Sequence, residues 1–148
     1  MKNRQNETLS NIERDIIAEI RALRSSAVVA LPPDILHSPA QLVHHFIRAS
    51  HGNVRLRIRP IARELGIEMR TLQRLFANRY GKTMAKYQLN VRLEFSRWIL
   101  TITPPTKISA IAALLGYQRV QDFNRFFRRH TGQSPLEWRS TQQEDAST

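Results

Sequence analysis

The chain has 148 residues, of which 41% are apolar, and a formal net charge of +11. Its length suffices for one compact domain or two very small ones, and its apolar content excludes an intrinsically disordered chain. It contains no cysteine, which excludes disulfides, thiol catalysis and cysteine-based zinc sites. The longest apolar run, 110–115, is far shorter than the ~20 residues of a membrane span, and no secretory signal is visible. These features predict a cytoplasmic protein without a membrane partner.

The positive charge is concentrated in one part of the chain. Residues 48–139 contain 18 basic and 5 acidic residues, a net charge of +13, whereas the remainder carries −2. Such a concentration indicates a polyanionic partner, and nucleic acid is the first candidate. A membrane surface is the second, but the central helix described below has two opposed apolar stripes and so lacks the polar face that a surface helix needs. A basic surface that only keeps the protein in solution is the alternative.

The first predicted helix begins at Ser10, which can form a capping box with Glu13. Its apolar positions, spaced 3-4-4-3, are Leu9, Ile12, Ile16, Ile20 and Leu23. This spacing suits packing on the rest of the chain or a short two-stranded contact, so a monomer and a homodimer through Leu9–Leu23 both remain open. Residues 1–8 are predicted to be loose and Ser25–Pro33 to be a linker, since two prolines cannot continue a helix. Residues 1–36 thus form an N-terminal helix and linker.

Seven further helices are predicted, and the class is all-α because no strand finds a partner. They are Ser38–His51, Pro60–Leu65, Glu68–Arg79, Thr83–Thr103, Ile108–Leu115, Val120–His130 and a short helix around Trp138. The segment Arg55–Arg59 alternates like a strand, but we interpret it as an extended lead into the next helix. Residues 37–140 are expected to form one DNA-binding domain, and residues 141–148 a disordered polar tail.

One short pattern occurs twice. Ile61–Gly66 matches Ile111–Gly116 at an offset of 50, and Leu72–Phe76 matches Phe123–Phe127 at an offset of 51. Each copy predicts two helices joined by a glycine-containing turn, which is a helix-turn-helix unit. The helix between the copies carries two apolar stripes on opposite sides, Tyr87, Val91, Phe95, Trp98 and Ile102 on one and Leu89, Leu93 and Leu100 on the other. It is therefore predicted to join two subdomains.

The second helix of each copy has an apolar face and a hydrogen-bonding face. The predicted inward residues are Leu72, Leu75 and Phe76 in the first copy and Phe123, Phe126 and Phe127 in the second. The predicted base-reading residues are Arg70, Thr71, Gln73 and Arg74, then Arg119, Gln121, Asp122, Asn124 and Arg125. The predicted phosphate contacts are Lys82, Lys107, Arg128 and Arg129.

The segment 57–139 resembles the DNA-binding domain of AraC/XylS-type transcription regulators. The motifs that carry the resemblance are IARELGIEMRTLQRLFANRYGKT, RLEFS and IAALLGYQRVQDFNRFFRRHTGQSPLEWR. The resemblance implies two helix-turn-helix subdomains joined by a rigid helix, with recognition helices Glu68–Arg79 and Val120–His130 in successive major grooves of double-stranded DNA. By position, Arg70, Gln73, Arg74, Gln121, Asp122, Asn124 and Arg125 match the family's groove-facing residues. RNA polymerase is a candidate partner, and no enzyme activity, cofactor or metal site is expected.

Two departures from the family pattern leave alternatives open. Glu68 stands where the family often has a hydroxyl, and it would face phosphates with the wrong charge. Only about 36 residues precede Ser38, too few to enclose a small ligand, which indicates a stand-alone regulator or a fragment of a longer one. The alternative function is a small interaction protein that heterodimerises through Leu9–Leu23 with a full-length regulator and inhibits it. About 19 residues of connecting helix would span roughly 28 Å, against about 34 Å between successive major grooves.

Overall fold

The computed structural model describes residues 9–25, 38–102 and 104–148. These residues contain eight helices and no strand: α1 (Asn11–Ser25), α2 (Pro39–Ala49), α3 (Ile58–Leu65), α4 (Met69–Tyr80), α5 (Met84–Ile99), α6 (Ile108–Leu114), α7 (Val120–Thr131) and α8 (Pro135–Ala146). The all-α prediction is confirmed, and the predicted loose segment 1–8 and most of the predicted linker lie outside the described residues. Within the described ranges, no helix is both long enough and apolar enough to cross a membrane.

The chain divides into two compact units, each with one helix-turn-helix. The first unit comprises the residues up to Ser50 together with Arg55–Met84, and the second comprises His51–Val54 and Ala85–Thr148. Both units include residues of the predicted domain 37–140, and α1 belongs to the first unit. The short segment 51–54 lies between α2 and α3 in sequence, yet it belongs to the second unit.

In the first unit, α1 packs on the helices that follow it. Ile16 and Ile20 are only 6% and 1% exposed. Other buried apolar residues of this unit are Leu42, Val43, Phe46, Ile47, Ile61, Leu72 and Phe76. The apolar spacing of α1 suited either packing on the rest of the chain or a short two-stranded contact. In the structure, α1 packs on the rest of the chain.

A buried carboxylate fixes the start of α1. Glu13 is fully buried, its backbone N–H donates to the Ser10 hydroxyl at 3.4 Å, and its carboxylate accepts from the Ser10 backbone N–H at 3.0 Å. These two bonds confirm the predicted capping box. The same carboxylate accepts three bonds from Arg57, one from the backbone N–H and two from the guanidinium, at 2.9–3.1 Å. Burial raises the pKa of Glu13, but the hydrogen bonds from Arg57 and from the Ser10 backbone N–H, together with the charge of Arg57, outweigh it and hold that pKa below its ordinary value.

The second unit has its own core. It consists of Ile99, Leu100, Ile111, Ala112, Leu115, Phe123 and Phe127. Trp138 of α8 packs edge-on against Phe127, with ring centroids 5.9 Å apart. The closing helix around Trp138 thus packs against α7.

The two predicted stripes on α5 are only partly right. Val91 and Leu100 are buried, but Trp98 is 58% exposed and Ile102 is 37% exposed. The reason is that the last turn of the helix buries Ser96 and Ile99, which lie on other sides of the helix from Trp98. The helix also ends at Ile99, so its 16 residues span about 24 Å rather than the expected 28 Å.

The predicted disordered tail is wrong in the structure, where α8 continues to Ala146. The sequence Ser134-Pro135-Leu136-Glu137 at its start is itself a capping-box pattern, and both bonds of the box between Ser134 and Glu137 are present. The Thr141 hydroxyl donates to the Glu137 carbonyl at 3.1 Å, and no glycine or proline interrupts the residues that follow. A polar segment without helix breakers can continue a well-capped helix, although its composition resembles that of a flexible tail.

Candidate nucleic-acid interface

The first helix-turn-helix consists of α3 and α4. Gly66 ends α3 in the left-handed region with φ of 69°, and its N–H bonds back to the Arg63 carbonyl at 3.1 Å. Leu72 and Phe76 are fully buried, as predicted. Leu75 is 38% exposed, so its predicted inward orientation is wrong. The buried stripe of α4 is a narrow i, i+4 pair, and Leu75 lies at its margin.

The polar face of α4 carries the first set of predicted base-reading residues. Arg70, Gln73 and Arg74 are exposed and share one helix face because they are spaced i, i+3, i+4, whereas Thr71 is half-buried. Among the described residues, neither Arg70 nor Arg74 has an ion-pair partner. Glu68 is the N-cap residue of α4, but its side chain makes no capping hydrogen bond. An exposed carboxylate therefore stands at the end of the helix that would enter a groove.

The second helix-turn-helix consists of α6 and α7. Its turn passes through Gly116, with φ of 89°, and α7 begins at Val120 after Arg119. Phe123 and Phe127 are fully buried, and Phe126 is half-buried against the same core, as predicted. The buried positions therefore repeat between the two motifs, with Phe123 and Phe127 at the sequence positions of Leu72 and Phe76.

The second set of predicted base-reading residues is less uniform in its exposure to solvent. Arg119, Gln121, Asp122 and Arg125 are exposed. The closest approach of the Arg125 guanidinium to the Asp122 carboxylate is 3.9 Å, a loose and exposed pair that holds neither side chain firmly. Asn124 differs from these residues because it is half-buried and its Oδ1 atom is buried without a hydrogen-bond partner in the described residues.

The buried oxygen of Asn124 leads to a stability prediction. Asn124→Ala is expected to lower the free energy of unfolding by less than about 1 kcal/mol, since it removes a buried polar atom that has no hydrogen bond. Urea unfolding followed by tryptophan fluorescence would measure this change. A loss above ~2 kcal/mol would mean that the amide makes a hydrogen bond in solution, and would contradict the prediction.

The predicted phosphate contacts are all exposed, but one of them has a partner. Lys82, Lys107 and Arg129 are exposed cations. Arg128 donates to the Glu137 carboxylate at 2.9 Å. The backbone N–H of Ser134 and the charge of Arg128 hold the pKa of Glu137 below its ordinary value, so the pair persists at neutral pH. Arg128 would have to share or exchange this partner to bind a phosphate.

Sequence reasoning missed Arg92, which connects three parts of the second unit. Its Nε donates to the Gly52 carbonyl at 2.8 Å, and its guanidinium reaches the Tyr117 hydroxyl at 3.4 Å. The guanidinium also lies 5.0 Å from the centre of the Phe126 ring. Arg92 on α5 thus links the 51–54 segment, the turn of the second motif and α7. No feature of the sequence set Arg92 apart, because α5 also contains Lys86, Glu94 and Arg97.

The 51–54 segment docks on α5 through stacking and backbone bonds. The His51 ring stacks on Phe95 with centroids 3.9 Å apart, and burial lowers the pKa of His51. Gln88 donates to the Asn53 carbonyl at 2.6 Å, and the Val54 N–H donates to the Leu115 carbonyl at 2.9 Å. This segment holds the end of α6, immediately before the turn that leads into α7.

The histidines that the structure describes form aromatic contacts. His44 stacks on Tyr80 in the first unit, with centroids 4.3 Å apart, and burial together with neighbouring positive charge lowers its pKa. In the part of the chain that the structure describes, no three side chains of the ligating types come together.

Comparisons with known proteins match the part of the chain that contains the two helix-turn-helix motifs. The model of a helix-turn-helix domain family matches residues 61–141, more than half of the chain. The fold is similar to the C-terminal domain of AraT, a response regulator from Geobacillus stearothermophilus, at 22% identity and a TM-score of 0.62, with 76% of this chain and 88% of that chain covered. A dual regulator from Escherichia coli K-12 gives 20% identity and a TM-score of 0.58, with 78% and 98% covered.

A third solved structure is that of the DNA-binding domain of AdpA, described as a global transcriptional factor, in complex with a target DNA. It gives 19% identity and a TM-score of 0.60, with 70% of this chain and 92% of that chain covered. A comparison with curated protein sequences finds no significant match. At these identities the structural likeness shows the fold, and the family model shows the membership. The chain belongs to the AraC/XylS-type helix-turn-helix family.

Proposed function

We propose that this protein is a sequence-specific double-stranded DNA-binding transcription regulator that reads two successive major grooves with α4 and α7. The observation that carries the proposal is the duplication of the helix-turn-helix, in which matched positions are buried and matched faces are exposed. Both copies lie in the segment of net charge +13. The similar AdpA domain, solved with a target DNA, supports the proposal because the shared fold binds DNA in that protein.

The proposed contacts follow from the side chains on each recognition helix. Arginine pairs with guanine through two hydrogen bonds and glutamine pairs with adenine, which assigns base reading to the exposed residues Arg70, Gln73, Arg74, Arg119, Gln121 and Arg125. Asp122 would accept from cytosine, and Thr71 would contact either base type. Since the Oδ1 atom of Asn124 is buried, Asn124 would act only as a donor. Lys82, Lys107, Arg128 and Arg129 would neutralise phosphates.

The alternative function, heterodimerisation through Leu9–Leu23 and inhibition of a longer regulator, has less support. Pairing through that face would require Ile16 and Ile20 to leave the core of the first unit. We therefore propose that the protein binds DNA without using α1 as a dimer contact. A cytoplasmic location follows from the proposed role, and RNA polymerase remains a proposed partner without assigned residues.

Fluorescence anisotropy with a fluorescein-labelled duplex of mixed sequence tests the proposal. Four phosphate contacts predict a slope of log affinity against log salt of about −3.6, which is a loss of roughly 100-fold between 50 and 200 mM KCl. Sequences selected from a randomised duplex library should share two motifs spaced by about one helical turn. Binding that is insensitive to salt, or selection without any shared motif, would count against a sequence-specific regulator.

A further inference from the structure

We infer that the exposed face of α5 around Trp98 binds a second copy of this chain, with the two helices packed antiparallel about a twofold axis. The inference goes beyond the proposed function, because it concerns self-association in the absence of DNA. It uses a surface other than Leu9–Leu23, since the middle of that face is buried in the first unit.

The face is a single stripe along one side of α5 and the turn that follows it. An open hollow of about 460 Å³ runs along this side, and its lining residues are Asn90, Leu93, Glu94, Arg97, Trp98 and Thr101. Their spacing of i, i+3, i+4, i+7, i+8 and i+11 is that of neighbours on one helix face. These six residues form the α5 stripe.

The α5 stripe exposes a large apolar side chain. Trp98 is 58% exposed, and it lines the same hollow as Leu93, which is half-buried against the core of the second unit. Removing apolar surface from water drives association, and tryptophan is among the residue types that contribute most to binding at protein interfaces. Trp98 is therefore suited to be the main contact of an interface.

Two opposite charges on the stripe indicate what a partner must offer. Glu94 and Arg97 are exposed, and within the described ranges neither takes part in an ion pair. An anionic membrane surface or a nucleic acid would attract Arg97 and repel Glu94. A matching partner instead carries a cation opposite Glu94, an anion opposite Arg97 and an apolar group next to them.

A second copy of the same stripe meets this requirement. When two copies of α5 run antiparallel about an axis between residues 95 and 96, Glu94 faces Arg97 of the second copy, and the twofold axis repeats this pair. In a parallel arrangement about a twofold axis, Glu94 would face Glu94 and Arg97 would face Arg97. The charges of the stripe therefore select the antiparallel orientation.

The remaining four positions match in the same register. Leu93 faces Trp98 of the second copy, which brings the apolar side chains of the two stripes together. Asn90 faces Thr101 of the second copy. The Thr101 hydroxyl already donates to the Trp98 carbonyl at 2.6 Å, so its oxygen is oriented to accept a bond from the Asn90 amide. Every position of the α5 stripe thus meets a partner of suitable chemistry.

The length of the stripe sets the expected strength of the dimer. From Asn90 to Thr101 the stripe extends about 17 Å, which is short for the interface of a permanent dimer. Contacts of this size belong to the weak and transient class of protein interfaces. The dimer is therefore expected to dissociate on dilution.

Sedimentation velocity of the full chain without DNA, from about 10 to about 500 µM, measures the association. The wild-type chain should change from monomer to dimer across this range. Glu94→Arg and Arg97→Glu each place like charges opposite each other and should weaken the dimer by about 10-fold or more. The exchange variant Glu94→Arg/Arg97→Glu restores both pairs and should associate within about threefold of the wild type. An equimolar mixture of the two single variants should also form dimers, because their charges are then complementary.

Other variants separate the stripe from the overall charge. Glu144→Arg makes the same change of charge as Glu94→Arg at an exposed position of α8, outside the stripe, and should leave the association unchanged. Trp98→Ala should weaken the dimer at least as much as either charge reversal, because it removes the main apolar contact. All of these side chains are exposed, and circular dichroism confirms that each variant is folded.

Cross-linking tests the register independently of the charge variants. The chain contains no cysteine, so introduced cysteines have no native thiol with which to react. Asn90→Cys and Thr101→Cys, mixed and treated with a mild oxidant, should form a disulfide between one copy of each variant, identified by its mass. Each variant oxidised alone should remain largely monomeric, since like positions lie at opposite ends of the paired stripes.

Three results would overturn the inference. A wild-type chain that stays monomeric at the highest concentration would leave the face to a different protein or to another segment of this chain. Failure of the exchange variant to recover the association would remove the Glu94 and Arg97 pairs from the interface. Cross-links between like positions would exclude the antiparallel register. Because none of these measurements contains DNA, they leave the proposed function untouched, and a failure of DNA binding would leave the dimer untouched.

Discussion

Gly52→Ala is expected to lower the free energy of unfolding of the second unit by about 3 kcal/mol or more. Gly52 has a φ of 68°, where a side chain is strained. A Cβ atom there would also meet the backbone oxygen of Gln88 and would lie 2.7 Å from the backbone nitrogen of Arg92. Because these are backbone atoms of α5, they cannot move aside as the end of a flexible side chain can.

The same unit offers a matched control. Gly132 has a φ of 80°, but a Cβ atom there would meet nothing within 4 Å. Gly132→Ala should therefore cost only the backbone strain, about 1 kcal/mol. Both tryptophans, Trp98 and Trp138, lie in the second unit, so urea unfolding followed by tryptophan fluorescence reports on the affected unit. Equal losses for the two variants would mean that the segment 51–54 is not docked on α5 in solution.

The features that sequence reasoning predicted well depend on residues close together in the chain. The capping boxes of Ser10 and Ser134 each join residues three apart, and both are present. The inward positions Phe123 and Phe127 follow from a helical period that is visible within a few residues. The repeat strengthened these predictions, since each face was seen twice.

The features that it missed depend on contacts between distant residues. Arg92 bonds to Gly52, 40 residues away, and Arg57 bonds to Glu13, 44 residues away. Neither pairing leaves a periodic signal, because the partner is fixed only when the helices pack. Trp98 was misplaced for a related reason: periodicity shows that α5 has apolar sides but does not show which side each turn buries.

The residues of the candidate interface also fall into two groups, those whose exposure follows from the local sequence and those whose state depends on contacts with distant residues. The exposure of Arg74, Gln121 and Arg125 was predictable because a residue opposite a buried stripe must face outward. The half-buried state of Asn124 and the ion pair of Arg128 with Glu137 were not, since both depend on how α7 packs on its neighbours. The polar composition of the last residues led to the wrong prediction of a disordered tail, because the residues after Thr141 continue α8.

Arg125→Ala is expected to weaken binding to the selected DNA sequence by about 10- to 100-fold and to abolish the preference at one base pair. The reason is that a bidentate contact between arginine and guanine contributes ~1–3 kcal/mol of discrimination. Arg74→Ala should act in the same direction in the first motif but more weakly. The exposed carboxylate of Glu68, at the start of α4, would face phosphates with a like charge and lower the contribution of that motif.

Arg129→Ala is the control that separates charge from base reading. Arg129 is exposed on the same helix, one turn beyond Arg125, so its loss removes the same charge. A phosphate contact positions the protein without carrying sequence information, and its removal should weaken all sequences alike and reduce the salt slope by about 0.9. Selection from a randomised duplex library, repeated with each variant, measures the preference at every base pair. Wild-type preferences in both Arg74→Ala and Arg125→Ala would rule out the recognition-helix assignment, because the two residues lie on the outward face of their helices at positions where a duplicated reading surface requires a contact.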